Sequence, residues 1–440
     1  MLLRSLKLAQ VKKKRVLLRI DFNVPIKNNR ILDDSRIKAV LPTIKYLIKQ
    51  KAKIILISHF GEPETQISAD PASRDADKRR LKAQIDAIRK QFSLKPVYQY
   101  LKKIKFKINF VDDCIGSKVK EEVEKLKPGE MVLLENLRFY SGEKNNDPQF
   151  AKELASLADL YVNEAFSVCH RQHASVSAIT KFLPSYAGFL LEKEVEVLSE
   201  VFQKPKHPFV LILGGAKIST KIGVIKNLAQ RVDKILIGGT LANNFFAAQG
   251  LPISQSKYEP EMMTITKKLL RNRGLKNKLV LPIDVRIRFK IKDLRFKIKD
   301  LKIEDLKSIN NQFQILDIGS ETIKLFSRVI KFAKMIVWNG PIGYTEERQF
   351  SQGTDEIIKS IFANKKAKVI IGGGETIAAL RQFRGLTRIS LRGTRTGTEK
   401  LRVSPRLFVS MGGGAMLKFL EGKILPGLKP LLKGDSPQQS

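Results

Sequence analysis

The chain has 440 residues, 43% hydrophobic and 28% charged, so it is a folded protein that is too long for one ordinary core. Its 81 basic and 43 acidic side chains give a net charge of +38, yet no zinc-finger spacing, helix-turn-helix pattern or aromatic-basic alternation indicates a nucleic-acid-binding fold. No apolar run approaches the roughly 20 residues that span a bilayer, residues 1–18 lack the apolar core and small-residue cleavage site of a secretory signal, and two cysteines make neither a disulfide framework nor a zinc site. We therefore expect a cytoplasmic protein of two or three domains without membrane contact.

Short apolar runs recur along the chain, and each is followed by a polar or glycine turn and then a helical pattern. Such runs are typical of parallel strands that are buried on both faces of a sheet. They lie at 15–24, 52–59, 131–139 and 160–166, and again at 209–215, 234–239, 278–285, 335–341, 368–375 and 407–414. The two series predict an α/β protein with two Rossmann-like domains, each an open parallel sheet flanked by helices.

A long hinge helix is predicted between the two series. The segment 182–202 has helical periodicity with no break after Gly188. The predicted boundaries are 1–185 for the N-terminal domain, 186–203 for the hinge helix, 204–424 for the C-terminal domain and 425–440 for a tail that could return to the N-terminal domain.

Three segments interrupt this regularity, at 64–92, 285–307 and 384–406. The second holds the tandem repeat RFKIKDL at 288–294 and 295–301, whose odd period favours a hairpin or a disordered loop over one long strand. The third is rich in Arg, Gly and Thr and predicts an exposed loop, which could crowd a site or form a flap. We expect solvated insertions, with nucleic-acid contact as the alternative.

The residues after the predicted strands carry the chemistry, because ligands of open parallel sheets bind beyond the carboxyl ends of the strands. The first half offers Asp, Asn, His and Arg side chains there, which suit a small anion. The second half offers glycine-rich turns, which suit a nucleotide, although neither a G-x-G-x-x-G fingerprint nor a P-loop is present.

The most informative of these turns is Leu213–Lys221, LGGAKISTK. As a strand entering a helix, it would present bare backbone N–H groups to a phosphate chain and place Lys217 and Lys221 on one face of the first helical turns. A plain strand-turn-helix corner with solvated lysines is the alternative that this segment alone leaves open.

Taken together and in order, these segments resemble the phosphoglycerate kinase family over nearly all of the chain outside the insertions. The matching motifs in the first half are RIDFNVP (19–25), DDSRIKAVLPTIKYL (33–47), SHFGEP (58–63), LLENLRFYSGEKNND (133–147), VNEAFSVCHRQHAS (162–175) and GFLLEKE (188–194). Those in the second half are LGGAKISTKIG (213–223), LIGGTLANNF (236–245), VWNGPIGYTEE (337–347), IGGGET (371–376) and SMGGGAMLKFLEGK (410–423).

The resemblance implies reversible phosphoryl transfer between 1,3-bisphosphoglycerate and ADP, giving 3-phosphoglycerate and ATP, with Mg²⁺ as cofactor. The implied phosphoglycerate-binding residues are Asp21, Phe22, Asn23, Arg36, His59, Phe60, Gly61, Glu62, Arg138 and Arg171. The implied nucleotide-binding residues are Gly214, Gly215, Lys217, Lys221, Gly239, Asn339, Pro341, Gly343, Glu346, Gly372, Gly373, Gly374, Glu375 and Thr376. Arg36, Lys217 and Lys221 are the implied catalytic residues, and Glu375 is the implied Mg²⁺ neighbour, with the metal held mostly through the nucleotide phosphates.

The expected chemistry agrees with these residue types. A carboxylate nucleophile is already ionised at neutral pH, so its phosphorylation needs charge neutralisation and in-line positioning rather than a general base. An acyl phosphate also hydrolyses readily, so closure of two domains about the hinge helix is expected to exclude water. A monomer suffices for this division of labour.

At several positions the residue types alone also allow a purely structural role. Arg36 could pair with Asp33 or Asp34, His59 could merely cap a strand, and position alone does not choose Glu346 over Glu347.

The chain also departs from the family pattern at several positions. Glu62 stands where arginine is usual, which would weaken phosphoglycerate binding unless Arg79 or Arg80 compensates. Glu375 replaces an aspartate, Thr220 stands where aspartate is frequent, and Met411 replaces a hydroxyl residue. These departures support an alternative, a catalytically weakened homologue whose basic insertions bind nucleic acid or other polyanions.

Overall fold

The computed structural model of the chain describes residues 1–63, 75–290, 296–309, 312–383 and 406–433, with the backbone alone for 75–82 and 290. The chain forms two compact units, Met1–Glu196 continued from Ile424 onward, and Val197–Lys423. Among the helices within the described ranges, none combines the length and apolarity that crossing a membrane requires.

The first unit is built on a six-stranded sheet in the order β5-β6-β4-β1-β7-β8, in which all neighbouring strands are parallel. A small antiparallel hairpin of β2 and β3 lies outside this sheet. The strands are β1 Arg15–Arg19, β2 Ile26–Lys27, β3 Arg30–Ile31, β4 Lys53–Ile57, β5 Ile108–Val111, β6 Met131–Leu134, β7 Leu160–Asn163 and β8 Ser185–Ala187. The helices are α1 Ser35–Lys49, α2 Asp75–Gln91, α3 Lys95–Lys103, α4 Ser117–Glu124, α5 Ser141–Lys144 and α6 Pro148–Ala155, and α7 Phe189–Gln203 begins in this unit and ends in the second.

The central strands of this sheet are apolar on both faces because helices cover both faces. Val16 and Leu18 pack into one core cluster and Leu17 into the other, since successive side chains of a strand point to opposite faces. Burying one such side chain fully contributes roughly 1.5–3 kcal/mol. This double burial is why the sequence shows continuous rather than alternating apolar runs.

The second unit repeats the design with the sheet order β11-β10-β9-β15-β16-β17, again with all neighbours parallel. A three-stranded antiparallel sheet, β13-β12-β14, is added to it. The strands are β9 Phe209–Leu213, β10 Lys234–Ile237, β11 Leu279–Val280, β12 Asp284–Lys290, β13 Phe296–Lys302, β14 Phe313–Ile318, β15 Met335–Asn339, β16 Lys368–Gly372 and β17 Leu407–Val409. The helices are α8 Ile222–Leu228, α9 Thr240–Ala248, α10 Met263–Arg271, α11 Arg273–Lys276, α12 Ser320–Phe332, α13 Gln352–Ala363, α14 Gly374–Gln382 and α15 Gly414–Leu420.

The prediction of two parallel sheets flanked by helices is therefore confirmed, but one predicted strand is wrong. The run 278–285 is two strands in two different sheets, since β11 ends at Val280 and β12 begins at Asp284. Pro282 lies between them and lacks the N–H that a continuous interior strand would donate.

The start of the predicted hinge helix is also corrected. Residues Ser185–Ala187 pair with β7 as a strand, and α7 begins only at Phe189. The carboxylate of Glu164 accepts the N–H groups of Leu190 at 3.1 Å and Leu191 at 3.4 Å, which fixes where the helix starts. A Cβ on Gly188 would lie 1.9 Å from that carboxylate, so only glycine fits before the helix.

The insertions have different outcomes. The described parts of the tandem repeat, 288–290 and 296–301, pair as the antiparallel strands β12 and β13, which agrees with the hairpin alternative. In the first insertion, α2 extends over Asp75–Gln91. Residues 64–74, the side chains of Arg79 and Arg80, and nearly all of the third insertion, 384–405, lie outside the described residues.

Candidate active site

Apart from Arg36 on α1, the implied phosphoglycerate residues of the first unit follow four neighbouring parallel strands, β6, β4, β1 and β7. Arg19 at the end of β1 is level with Ile57 of β4 and with Asn163 of β7, so the loops after these strands leave the same edge of the sheet. Asp21 and Asn23 follow β1, His59 follows β4, Arg138 follows β6 and Arg171 follows β7. We call Arg36, His59, Arg138 and Arg171 the basic cluster.

The amide of Asn136 ties the loops of this edge together. Its Oδ1 accepts from the N–H of Phe60 at 3.0 Å and of Arg138 at 3.1 Å, and its Nδ2 donates to the Phe60 carbonyl at 2.7 Å. The N–H of Gly61 donates to Asn23 Oδ1 at 3.1 Å. Sequence reasoning missed Asn136 as a positioning residue, although it lies within the LLENLRF motif.

Arg36 contacts Asp21, which lies in the loop after β1. Its Nη1 donates to Asp21 Oδ2, which also accepts from the Ser167 hydroxyl. Asp34, the alternative partner, accepts instead from Lys38 at 2.9 Å and from the Tyr100 hydroxyl at 2.6 Å. Asp21 thus orients the Arg36 guanidinium at the carboxyl edge of the sheet.

His59 is buried and held neutral. Burial, followed by the charges of Arg19 and Arg138, keeps the pKa of its imidazole well below the ordinary 6.5. Its Nδ1 lies 3.2 Å from Arg19 Nη2. Because a guanidinium can only donate, Nδ1 must accept, and the ring proton is on Nε2.

A buried polar chain behind His59 holds Arg19 in place. Arg19 Nε donates to the Ser175 hydroxyl at 2.8 Å, and that hydroxyl donates to Glu143 at 2.7 Å. Burial raises the pKa of Glu143, but the interaction with His173 and the charge of Arg19 outweigh burial and lower it below the ordinary value. Sequence reasoning missed this chain because a charged residue inside an apolar strand run gives no signal of its partner.

Phe22 and Phe60 contribute to the site by backbone rather than by ring. The Phe22 ring is buried in the core, and the Phe60 ring packs against the core and lies 6.4 Å from the ring of Phe92. Glu62, the departure from the family pattern, forms ion pairs with Arg138, Lys144 and Arg171.

In the second unit, Asn339 at the end of β15 is level with Leu213 of β9 and Gly372 of β16. The three glycine loops that follow these strands therefore begin side by side. A Cβ on Gly214 would lie 2.0 Å from the Pro341 carbonyl oxygen, and one on Gly340 would lie 2.2 Å from the Gly214 carbonyl oxygen. Glycine is required there because two backbones touch.

The prediction of bare N–H groups after β9 is wrong for the two glycines, Gly214 and Gly215. The N–H of Gly214 donates to the Asn339 carbonyl at 3.1 Å, and that of Gly215 donates to the Pro341 carbonyl at 2.8 Å. Gly239 likewise donates to the Ile342 carbonyl at 2.6 Å. These three N–H groups are therefore bonded to carbonyl groups at the end of β15 and in the loop after it. No local sequence pattern reveals such a contact.

The predicted helical placement of the two lysines is also wrong. Helix α8 starts at Ile222 with Lys221 as its N-cap, and the residues before it form a turn in which the Lys221 N–H donates to the Ile218 carbonyl at 2.8 Å. Ile218 is buried, and turning the chain inward there leaves Lys217 exposed while Lys221 is buried.

Lys221 is the buried cation of the second unit's site. Its side chain is only 7% exposed, and its Nζ donates to Asn339 Oδ1. Burial lowers the pKa of this ammonium group from 10.5 to about 8, while the nearby charge of Glu375 acts in the opposite direction. Burying a cation is costly unless an anion accompanies it, so this position suits an anionic ligand.

The loop Gly372–Thr376 provides the other side of this site. Thr376 Oγ1 accepts from the Gly340 N–H at 2.7 Å, so it joins two loops rather than standing free. The buried Asn339 Nδ2 finds no hydrogen-bond partner within the described residues, and it lies 3.1 Å from where a Cβ on Gly373 would be. The exposed first turn of α14, which carries Gly374 and Glu375, adds N–H groups that the helix itself does not use.

The choice between Glu346 and Glu347 is clearer in the structure. Glu347 accepts from Arg288 Nη1 at 2.9 Å and from Gln349 at 2.9 Å. Glu346 is exposed, and the described part of the chain shows no ion pair for it. Gly343 belongs to the supporting structure, since a Cβ there would lie 2.2 Å from the Phe350 carbonyl oxygen.

Residues 6–423 match the family model of phosphoglycerate kinase. The chain belongs to the phosphoglycerate kinase family. It is 43% identical over 422 residues to a phosphoglycerate kinase of Pseudothermotoga lettingae, covering 95% of this chain and 96% of the relative. It is 42% identical over 429 residues to one of Finegoldia magna, covering 97% and 98%.

Solved structures agree with this membership. The phosphoglycerate kinase structure from Coxiella burnetii has a TM-score of 0.76 and 34% identity, covering 98% of this chain and 99% of that chain. The one from Pyrococcus horikoshii has a TM-score of 0.71 and 30% identity, covering 97% and 98%. The two-sheet architecture is therefore that of phosphoglycerate kinase structures.

Proposed function

We propose that this chain catalyses reversible phosphoryl transfer between 1,3-bisphosphoglycerate and ADP, giving 3-phosphoglycerate and ATP, with the residues described above. The observation that carries the assignment of residues is a pair of complementary sites. The basic cluster of the first unit suits a small phosphorylated acid, and the buried Lys221 among the glycine loops of the second unit suits the nucleotide phosphates.

The basic cluster binds the phosphorylated acid through its positive charge and through the fixed orientation of its hydrogen-bond donors. Arg36, held by Asp21, and Arg138, held by the Gly61 carbonyl at 2.6 Å, present guanidinium groups whose planar forks suit carboxylate and phosphate. Neutral His59 donates from Nε2 and accepts no proton, because its Nδ1 is occupied by Arg19. The substrate carboxylate is ionised at neutral pH through its own low pKa, so it needs a hydrogen-bond donor such as His59 Nε2 rather than a base.

Lys221 neutralises charge on the phosphoryl group in transit. In the free protein its Nζ donates to Asn339, and a bound phosphate oxygen would take its remaining donors. Asn339 Nδ2 and the N–H groups of the first turn of α14 add donors that follow the phosphate chain. Glu346 would accept from the ribose hydroxyls, since Glu347 is occupied by Arg288.

The residues present fit Mg²⁺ bound with the nucleotide. Within the described ranges there is no group of three or more His, Cys, Asp or Glu that could hold a metal by itself, whereas Mg²⁺ commonly needs one or two carboxylates plus substrate phosphates. Glu375 Oε2 would lie 3.5 Å from a Cβ on Gly215, so this carboxylate faces the glycine loops. When bound, Mg²⁺ supplies charge neutralisation on the phosphate oxygens.

We further propose that the protein acts as a monomer in the cytoplasm and closes about α7. Each substrate site is built from one unit of a single chain, which supports a monomer. Cys114 and Cys169 are buried free thiols, which supports a reducing compartment. Direct transfer requires the two substrates to meet with water excluded, which supports closure.

A coupled assay of ATP-dependent phosphorylation of 3-phosphoglycerate tests this function. We expect turnover with Mg²⁺ present and none with Mg²⁺ chelated. No turnover, together with salt-sensitive retention of the protein on RNA, would instead support a role for the basic insertions in polyanion binding.

The affinity for ATP should fall as pH rises through 8. Below this pH the Lys221 ammonium is charged, and above it the free protein loses the proton, because its pKa is lowered from 10.5 to about 8. Bound phosphates favour the charged form, so the dissociation constant should rise about tenfold per pH unit above 8. Calorimetric titration at pH 7, 8 and 9 measures it.

Lys221→Arg provides the control for this pH dependence, because guanidinium stays charged throughout. The variant should show a nearly flat profile between pH 7 and 9. An equal slope in both proteins would assign the pH dependence to another group.

A further inference from the structure

Glu62 lies at the centre of a cluster of three cations in the first unit, which we call the Glu62 cluster. Its Oε1 accepts from Arg138 Nη1 at 2.7 Å and lies 3.3 Å from Arg171 Nη1. Its Oε2 lies 3.0 Å from Lys144 Nζ. One carboxylate therefore bridges three cations, two of which belong to the basic cluster.

The local backbone directs Glu62 into this position. Gly61 has φ +60°, in the left-handed region, and its carbonyl accepts from the same Arg138 nitrogen at 2.6 Å. A Cβ on Gly61 would lie 2.4 Å from the ring of Phe92, so the turn admits only glycine without displacement of that ring. The carboxylate that follows the turn is thus presented to Arg138.

The charges of the Glu62 cluster do not balance. Arg138, Lys144 and Arg171 carry three positive charges against one negative charge, and Arg138 Nε has no hydrogen-bond partner in the described part of the chain. Burial raises the pKa of Glu62, but hydrogen bonding to Lys144 and the charge of Arg138 outweigh it and hold the carboxyl ionised. The cluster therefore attracts a further anion while its own anion occupies the donors.

The exposure of the members differs in a way that allows exchange. The Glu62 side chain is 55% exposed, whereas that of Arg138 is 2% exposed. A carboxylate at the surface can turn into water at small cost, while the buried guanidinium stays in place. An incoming anion could thus take the position of Glu62 without any change in the sheet.

We propose that Glu62 is an internal competitor of the phosphorylated acid, occupying the anion position of Arg138, Lys144 and Arg171 until substrate displaces it. The inference rests on the proposed function and adds to it the residue that sets substrate affinity. The glutamate at this position, where arginine is usual, then acts as an internal counterion of the three cations and does more than remove one positive charge. Glu62 is then a determinant of the KM for 3-phosphoglycerate that acts against binding.

The test compares Glu62→Gln and Glu62→Ala with the wild type. Both variants free the three cations, so the KM and the calorimetric dissociation constant for 3-phosphoglycerate should fall together. The expected fall is limited to about tenfold, because water weakens ion pairs at the protein surface. The KM for ATP should not change, since the implied nucleotide residues lie in the other unit. An unchanged or increased KM for 3-phosphoglycerate in both variants would overturn the proposal.

Glu122→Gln is the matched control, because it adds the same unit of charge to the first unit. Glu122 lies on α4 and forms an ion pair with Lys125, three residues later, at 2.7 Å. If this variant lowers the KM as much as Glu62→Gln does, net charge explains the effect and the specific role of Glu62 is wrong. Thermal unfolding of all variants separates an affinity change from a change in stability.

Inorganic phosphate as a probe keeps this inference separate from the proposed function. If the wild type does not phosphorylate 3-phosphoglycerate, the proposed function fails, yet phosphate should still bind more tightly to Glu62→Gln than to the wild type by calorimetry. Equal phosphate binding by the two proteins would reject the inference whether or not the kinase assay succeeds.

Discussion

Replacing Lys221 with alanine should lower the turnover number by about 10²–10³-fold, the usual effect of removing one group that stabilises developing charge. Lys221 is buried, and its Nζ donates to Asn339 in the middle of the glycine loops, so no exposed cation can take its place. Lys217 is exposed four residues earlier and is not on a helical face with it. A coupled assay with saturating ATP and 3-phosphoglycerate measures the loss.

Binding of 3-phosphoglycerate should stay within about twofold in this variant, because the basic cluster belongs to the other unit. Lys226→Ala is the matched control, since Lys226 is exposed on the helix that Lys221 caps. The control should keep wild-type turnover. Equal losses in both variants would mean that the helix, and not the ammonium group of Lys221, is responsible.

The fold was predictable where burial of a strand leaves a continuous apolar run in the local sequence. Double-sided burial of a parallel sheet produces continuous apolar runs, and these located the strands β1, β4, β6, β7, β9, β10, β15, β16 and β17. Strands β5 and β8 were missed because the exposed Asn109 interrupts the apolar run of β5, and β8, with the sequence SYA, contains no large aliphatic side chain. The run 278–285 was misjudged because its local apolarity does not show that Pro282 separates two sheets.

The sequence predicts which residues belong to the candidate site, and that membership stays a prediction, but the sequence does not predict their geometry. Motif order identified Lys221 and Asn339, yet the contact between them depends on β9 and β15 lying side by side. The N–H groups of Gly214 and Gly215, which the local sequence predicts to be free, donate to carbonyl groups of Asn339 and Pro341. Tertiary contacts decide such matters, and one sequence does not display them.

The partner of Glu62 was likewise beyond the reach of sequence reasoning. Compensation was expected from Arg79 or Arg80 in the neighbouring insertion, whose side chains lie outside the described residues. Among the described residues, Glu62 pairs with three cations that follow other strands or lie on α5. A departure from the family pattern is therefore best interpreted from what the new side chain contacts.

Replacing Arg138 with alanine should raise the KM for 3-phosphoglycerate by about 10²-fold, since losing one partner of a charged, hydrogen-bonded contact costs roughly 2–5 kcal/mol. Arg138 is buried, and its donors to the Gly61 carbonyl and to Glu62 hold the loop after β4. Arg138→Lys keeps the charge but not the planar fork, so its KM should lie between those of the wild type and the alanine variant.

Arg15→Ala is the control for Arg138, because Arg15 begins β1 and so lies at the opposite edge of the same sheet. It pairs with Asp159 at 2.9 Å, and its loss should lower stability without raising the KM for 3-phosphoglycerate. The KM for ATP should be unchanged in every one of these variants. A parallel rise in both KM values for Arg138→Ala would point to damaged folding, whereas a rise confined to 3-phosphoglycerate identifies the buried guanidinium as a direct substrate contact.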